Sequence, residues 1–171
     1  MRLSPNFTTA EFLKSPTGDR LGIDNYHYTN TQLGNMRRLC EKCLEVIRAK
    51  LREKTKSVLT VQVTSGLRSP ALNKAVGGAA NSQHLRGQAA DIVVPGMTVQ
   101  ELFDFILEEG IVFDQMIQEF DAWVHISWRN GGPAYQRQQS MYAWKNAQGK
   151  TVYTTKRPIA MDFDTQQAPL T

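Results

Sequence analysis

The sequence predicts an α+β domain, a small antiparallel sheet with flanking helices. Three observations lead there. A strong helical periodicity occupies residues 29–52, ahead of most of the strand-like segments. The later segments are short and rich in β-branched and aromatic residues. Two of them are separated only by Asp121-Ala122, the spacing of a hairpin and not of a crossover helix. Helices first, then strands mixed with helices, fit α+β better than a doubly wound parallel sheet. The 171 residues fit one domain, 1–171, and 41% of them are apolar, enough for a packed core.

The elements follow in order. Thr8-Thr9-Ala10-Glu11 is a capping-box pattern and opens a short helix over 8–14. Residues 15–28 hold Gly, Pro, Asp and Asn and read as loop. From Thr29 to Arg52, Leu33, Met36, Leu39, Cys40, Cys43, Leu44, Ile47 and Leu51 fall at steps of three and four, giving one amphipathic helix. Val58 to Thr64 alternates as a strand. Ser69-Pro70 is an N-cap followed by proline at N1, starting a helix to about Val76. A flexible loop at 77–81 precedes the short apolar strand Ala89–Val94. Thr98 and Glu101 cap a further helix that Gly110 stops. Asp114–Phe120 and Trp123–Trp128 form the hairpin, and residues 135–156 suggest another around Asn146-Ala147-Gln148-Gly149. Residues 157–171 read as a tail.

Composition narrows the function classes. The net charge of +4 is mild and no basic run interleaves with aromatics, which argues against a nucleic-acid platform. No apolar run approaches 18 residues, so no membrane span is expected. Met1–Thr9 lacks the apolar core of a signal peptide. Cys40 and Cys43, on one helix face among leucines, read as buried core thiols, with metal or redox chemistry the lesser alternative.

Chemistry concentrates in Ser82-Gln83-His84-Leu85-Arg86-Gly87-Gln88-Ala89-Ala90-Asp91. Gly87 permits a turn that other residues resist. Asp91 heads a buried apolar strand, a costly place for a carboxylate without a cation or metal beside it. His125 lies in the alternating strand Trp123-Val124-His125-Ile126-Ser127. Two His and one carboxylate make a three-ligand set for catalytic zinc, with the fourth position left for water. A second carboxylate is then needed as general base, and the candidates are Glu119 and Asp121, Glu119 the stronger because Asp121 also suits a turn. Arg68 is placed to grip a substrate carboxylate or an oxyanion, unless it serves a structural ion pair. His27, between Tyr26 and Tyr28, reads as surface or packing.

The pattern S-x-H-x-x-G-x-A-x-D at 82–91, with W-V-H-x-S at 123–127, resembles the zinc D-alanyl-D-alanine carboxypeptidase family, grouped with lysostaphin-type peptidases and the hedgehog signalling domain. Ser65-Gly66-Leu67-Arg68-Ser69 resembles the family's S-G-x-R-S segment. The segments 3–12 and 20–25 are also similar to phage and bacterial members, so the likeness covers about 3–130. It implies a hedgehog/D,D-peptidase-like fold, a Zn2+ cofactor on His84, Asp91 and His125, a catalytic carboxylate before the last His, and Arg68 on the substrate. Ser82 and Ser127 join the substrate-binding set. Many members carry the acid three residues before the last His, where this chain has Ala122.

The expected activity is hydrolysis of peptide bonds in peptidoglycan stem peptides, as a D,D-carboxypeptidase or an endolysin-type L,D-endopeptidase. The expected setting is cytoplasmic until release, or phage-encoded and acting on the cell wall. The competing reading is a non-catalytic zinc-containing module that binds cell wall or a partner.

Overall fold

The computed structural model describes residues 1–57 and 59–158, so the expected tail lies almost wholly outside the described residues. Among the described residues, six α-helices precede or interrupt one sheet: α1 Thr9–Leu13, α2 Pro16–Leu21, α3 Asn30–Leu39, α4 Glu45–Thr55, α5 Pro70–Ala75 and α6 Val99–Glu108. The strands are β1 Gln62–Ser65, β2 Ala89–Val93, β3 Gln115–Glu119, β4 Trp123–Ser127, β5 Gln139–Lys145 and β6 Thr151–Thr154. The architecture is α+β, as the sequence predicts.

Local chemistry accounts for most boundaries. Thr8, Thr29 and Thr98 each close a capping box with the Glu or Gln three residues on. Ser69 accepts from the Leu72 amide ahead of Pro70. Residues 15–28 depart from the loop expectation. Ser15 caps α2 with Pro16 at its first position, and Gly22 ends it in the left-handed region. The same Pro and Gly that signal a loop here bracket a helix of two turns. The long helix of 29–52 is also modified: residues Cys40–Leu44 form a π-helical turn between α3 and α4, which runs on to Thr55. Both thiols of that turn are buried in the core and free.

The sheet order is β1-β2-β4-β3-β5-β6. The sheet is mostly antiparallel, as the sequence predicts, and β3 with β5 is its one parallel pair among the described residues. The cause is the 128–138 connection, which crosses the start of β3 and sets β5 on its far side. Backbone bonds from Gln138 N to Phe113 O and from Gln139 N to Asp114 O fasten that crossing. One sheet face turns Ala90, Ile92, Met116, Val124 and Ile126 toward α3, α4 and α6, where Met36, Leu39, Ile47, Leu102 and Ile106 complete the core. The register Asp91↔His125 and Ile117↔His125 puts the alternate residues on the opposite face, over which the site is built.

Candidate metal centre

His84 is held from three sides. It sits in the 3-10 turn Gln83–Arg86, where Ser82 Oγ accepts from its amide at 3.3 Å. Arg68 N donates to its carbonyl at 3.2 Å. Behind the turn, α3 supplies Gln32 Nε2 to Leu85 O at 2.9 Å and Asn35 Nδ2 to Arg86 O at 2.8 Å. Gly87 ends the turn at φ 67, and a Cβ there would meet Gln32 O at 2.9 Å, so conformation and space both demand glycine. The imidazole Nδ1 lies 2.6 Å from Gly66 O. A carbonyl can only accept, so Nδ1 carries the proton and the Nε2 lone pair is left for a ligand.

Three donor atoms then converge. His84 Nε2 lies 3.2 Å from Asp91 Oδ1, His125 Nδ1 lies 3.1 Å from the same oxygen, and the two nitrogens are 3.1 Å apart. Ligands about 2.0–2.2 Å from a tetrahedral zinc are separated by about 3.3–3.5 Å, so this triangle is close to one face of such a site. All three residues are buried, and the cleft lies over them. The N2O donor set with an open side fits a catalytic divalent cation. Asp91 is drawn well below the ordinary carboxylate range. Burial opposes this, but the His84 and His125 imidazoles outweigh it.

The second oxygen of Asp91 is taken by Arg68, whose Nη2 donates to Oδ2 at 2.6 Å while its Nε donates to Ser65 Oγ at 3.0 Å. Arg68 thus forms the structural ion pair, and it also lines the cleft. The segment 65–69 acquires a physical reading. Ser65 orients Arg68, Gly66 sets the His84 tautomer, and Ser69 caps α5. Asn25, in the loop after α2, clamps this segment to α1, donating to Leu13 O and Leu67 O at 2.9 Å each and accepting from Ser69 N at 2.6 Å.

Glu119 ends β3 across from Trp123 and lines the cleft that holds the two His. Trp123 Nε1 donates to its Oε2 at 3.2 Å. Burial, and then the Asp91 charge, raise its pKa, against weaker pulls from His125, Trp123 and Arg68. A carboxylate with raised pKa beside a candidate metal centre is suited to taking and returning a proton. Asp121 lies elsewhere: it adopts φ 55 in the hairpin turn, accepts from Gln118 Nε2 at 2.8 Å, and borders a separate shallow groove with Val93 and Pro95. Its short side chain suits the left-handed turn, the role that competes with catalysis in the sequence. Ser82 borders the cleft. Ser127 is fully buried, donating to Gln115 O and accepting from Gln115 N, which ties its hydroxyl to strand pairing and away from a ligand. His27 is exposed beside Asp24.

The cleft is open and has a volume of 1110 Å³. Sequence reasoning missed its far wall, which comes from residues 129–153 and includes Arg129, Arg137, Lys145 and Tyr153. It also missed Asn25, Gln32 and Asn35, whose amides signal nothing until the backbone carbonyls they meet are in place.

A helix-flanked sheet carrying a buried His–Asp–His centre under an open cleft, with a carboxylate alongside, defines a metallopeptidase architecture. The family model described as Peptidase M15 matches residues 5–127, well over half of the chain, and the chain belongs to that family. No curated protein matches it. Among the described residues, no helix is long and apolar enough to cross a membrane.

Proposed function

We propose that this chain is a zinc-dependent peptidase that hydrolyses peptide bonds in peptidoglycan stem peptides. The observation that carries the reading is the 3.1–3.2 Å triangle of His84 Nε2, Asp91 Oδ1 and His125 Nδ1 in the same cleft as Glu119. Bound there, zinc would supply a water of lowered pKa and polarise the scissile carbonyl. Gly66 O keeps His84 in the coordinating tautomer. Arg68 neutralises the outer oxygen of Asp91 and turns its remaining guanidinium face to the cleft, where a substrate carbonyl or carboxylate can accept from it. Glu119 accepts the proton of the attacking water and returns it to the leaving amine, with Trp123 orienting its carboxylate. Ser82 borders the substrate path. The enzyme meets its substrate at the cell wall, encoded by a phage or held in a cytoplasm until release.

The test is digestion of purified peptidoglycan with and without chelator, read by mass spectrometry. Wild type releases D-Ala or cleaved stem peptides only with metal. Glu119→Gln is expected to lower kcat by about 10²–10⁴ while zinc still binds, the size of a lost general base. Full activity in both Glu119→Gln and His84→Ala would rule out hydrolysis at this centre. A metal-bound chain that retains wall peptides without cutting them would favour the binding-module alternative.

A further inference from the structure

The family match ends at residue 127, and the cleft wall beyond it is built by the chain that follows. That wall is basic. Asp114 organises it: its carboxylate is fully buried and accepts from Arg137 Nε at 3.0 Å, Arg137 Nη2 at 2.6 Å, the Arg137 amide at 3.2 Å and Gln83 Nε2 at 3.0 Å. Those bonds fill the acceptor sites of the carboxylate. Arg129 Nε stays 3.8 Å from Asp114 Oδ1, beyond hydrogen-bond reach, and its side chain is 51% exposed. Two guanidinium groups against one carboxylate leave a positive charge in excess on the wall. Arg137 is locked by its two-point contact, whereas Arg129 lines the cleft without a hydrogen bond to Asp114. Lys145 differs, because its ammonium already donates to Thr151 Oγ1 at 2.7 Å and lies over the Phe120 ring.

The register sets the distance along β3 between this charge and the metal row. Ile117 pairs with His125 and marks the row of the metal centre. Glu119 is two residues toward one end of β3, and Asp114 three residues toward the other. At about 3.3 Å per residue, the Asp114 anchor lies about 10 Å from the metal row on the side away from the base. That is the length of about three residues of extended peptide.

We propose that Arg129, backed by Arg137 on Asp114, binds a carboxylate on a substrate residue about three positions from the scissile bond. The proposal rests on the peptidase reading for its substrate. Gln83 couples the subsite to the chemistry, since it bonds Asp114 and is the residue next to His84.

The test uses the zinc-loaded full chain and two stem-type peptides that differ only in a free carboxylate or a carboxamide at that position. Wild type is expected to prefer the acid by about tenfold in kcat/KM, the scale of one charge-assisted hydrogen bond. Arg129→Gln should bring the ratio close to one, with the loss in KM and not kcat, and Arg129→Lys should restore part of it. An unchanged preference in Arg129→Gln overturns the proposal. If wild type cuts neither peptide, the peptidase reading fails by itself. Calorimetric titration of the same peptides then decides the subsite: acid-selective binding lost in Arg129→Gln sustains it, and equal or absent binding overturns it.

Discussion

Gly66 performs two tasks that no other residue type combines. A Cβ there would meet Phe12 Cα at 2.6 Å and Phe12 Cδ1 at 2.7 Å, so the backbone of β1's exit can lie against α1 only without a side chain. Its carbonyl, brought in by that approach, accepts from His84 Nδ1 and fixes which nitrogen faces the candidate metal site. Gly66→Ala is therefore expected to cost about 1–3 kcal/mol in urea unfolding, from overpacking against a neighbour that cannot move far. It should also weaken zinc binding about tenfold or more in calorimetry, as the His84 orienting bond is lost. Intact zinc affinity in a destabilised Gly66→Ala chain would separate the two tasks. In the sequence, the Ser69 cap and the Arg68 charge of this segment can be read from the residues, but Gly66 is visible only through the resemblance. Its cause is contact with Phe12 and His84, both remote in the chain. Asp91 is different, because a carboxylate at the head of an apolar strand demands a counter-charge from the sequence alone.

Between elements, the N-terminal arm is tied to α4 through one carboxylate. Glu45 accepts from Ser4 Oγ at 2.6 Å, Asn6 N at 2.8 Å and Asn6 Nδ2 at 2.8 Å. Partial burial pushes its pKa up, but the bonds from Ser4 and Asn6 and the nearby Arg48 pull it down further, so the net shift is downward. A carboxyl lowered on folding stabilises the fold fully above its unfolded value near 4.5. That stability is lost as pH falls through the lower folded value. Thermal melts from neutral pH down to about pH 3 should show the Glu45→Gln chain losing less on acidification than wild type. Parallel curves would refute the link. Capped helices were the most legible elements, since each boundary is written in two or three adjacent residues. Strand existence was legible too, and the β3–β4 hairpin in particular. The π-helical turn, α2 and the parallel β3–β5 pair were not. Each depends on tertiary placement: a turn of helix fitted to the core, a Pro and a Gly used as ends and not breaks, and a crossing pinned by Asp114.

At the scale of the molecule, the candidate metal centre joins β2 and β4 to the 3-10 turn and, through Gly66, to the segment after β1. A ligand that binds only this assembled set stabilises the whole fold by mass action. Zinc at a hundredfold excess over its dissociation constant is worth about 2.7 kcal/mol. For a chain of this size that corresponds to a rise in Tm of about 5–10 °C, removed by chelator. His84→Ala should melt at one temperature with and without zinc, and a retained zinc shift in that variant would place the ion elsewhere. The basic wall belongs to the same scale. Its arginines were individually visible in the sequence, but nothing local indicated that residues 129 and 137 share a cleft with residue 84.

The strand pairing has one more consequence. Asp91 and His125 alternate with Ala90, Ile92, Val124 and Ile126, so the metal face and the core face are interleaved along the same two strands. A slip of one residue in either strand would turn hydrocarbon out to the cleft and drive a carboxylate or an imidazole into oil. Such a chain could neither collapse well nor capture a cation. Proofreading of the fold and readiness for chemistry are then a single checkpoint, passed or failed together when β2 finds β4.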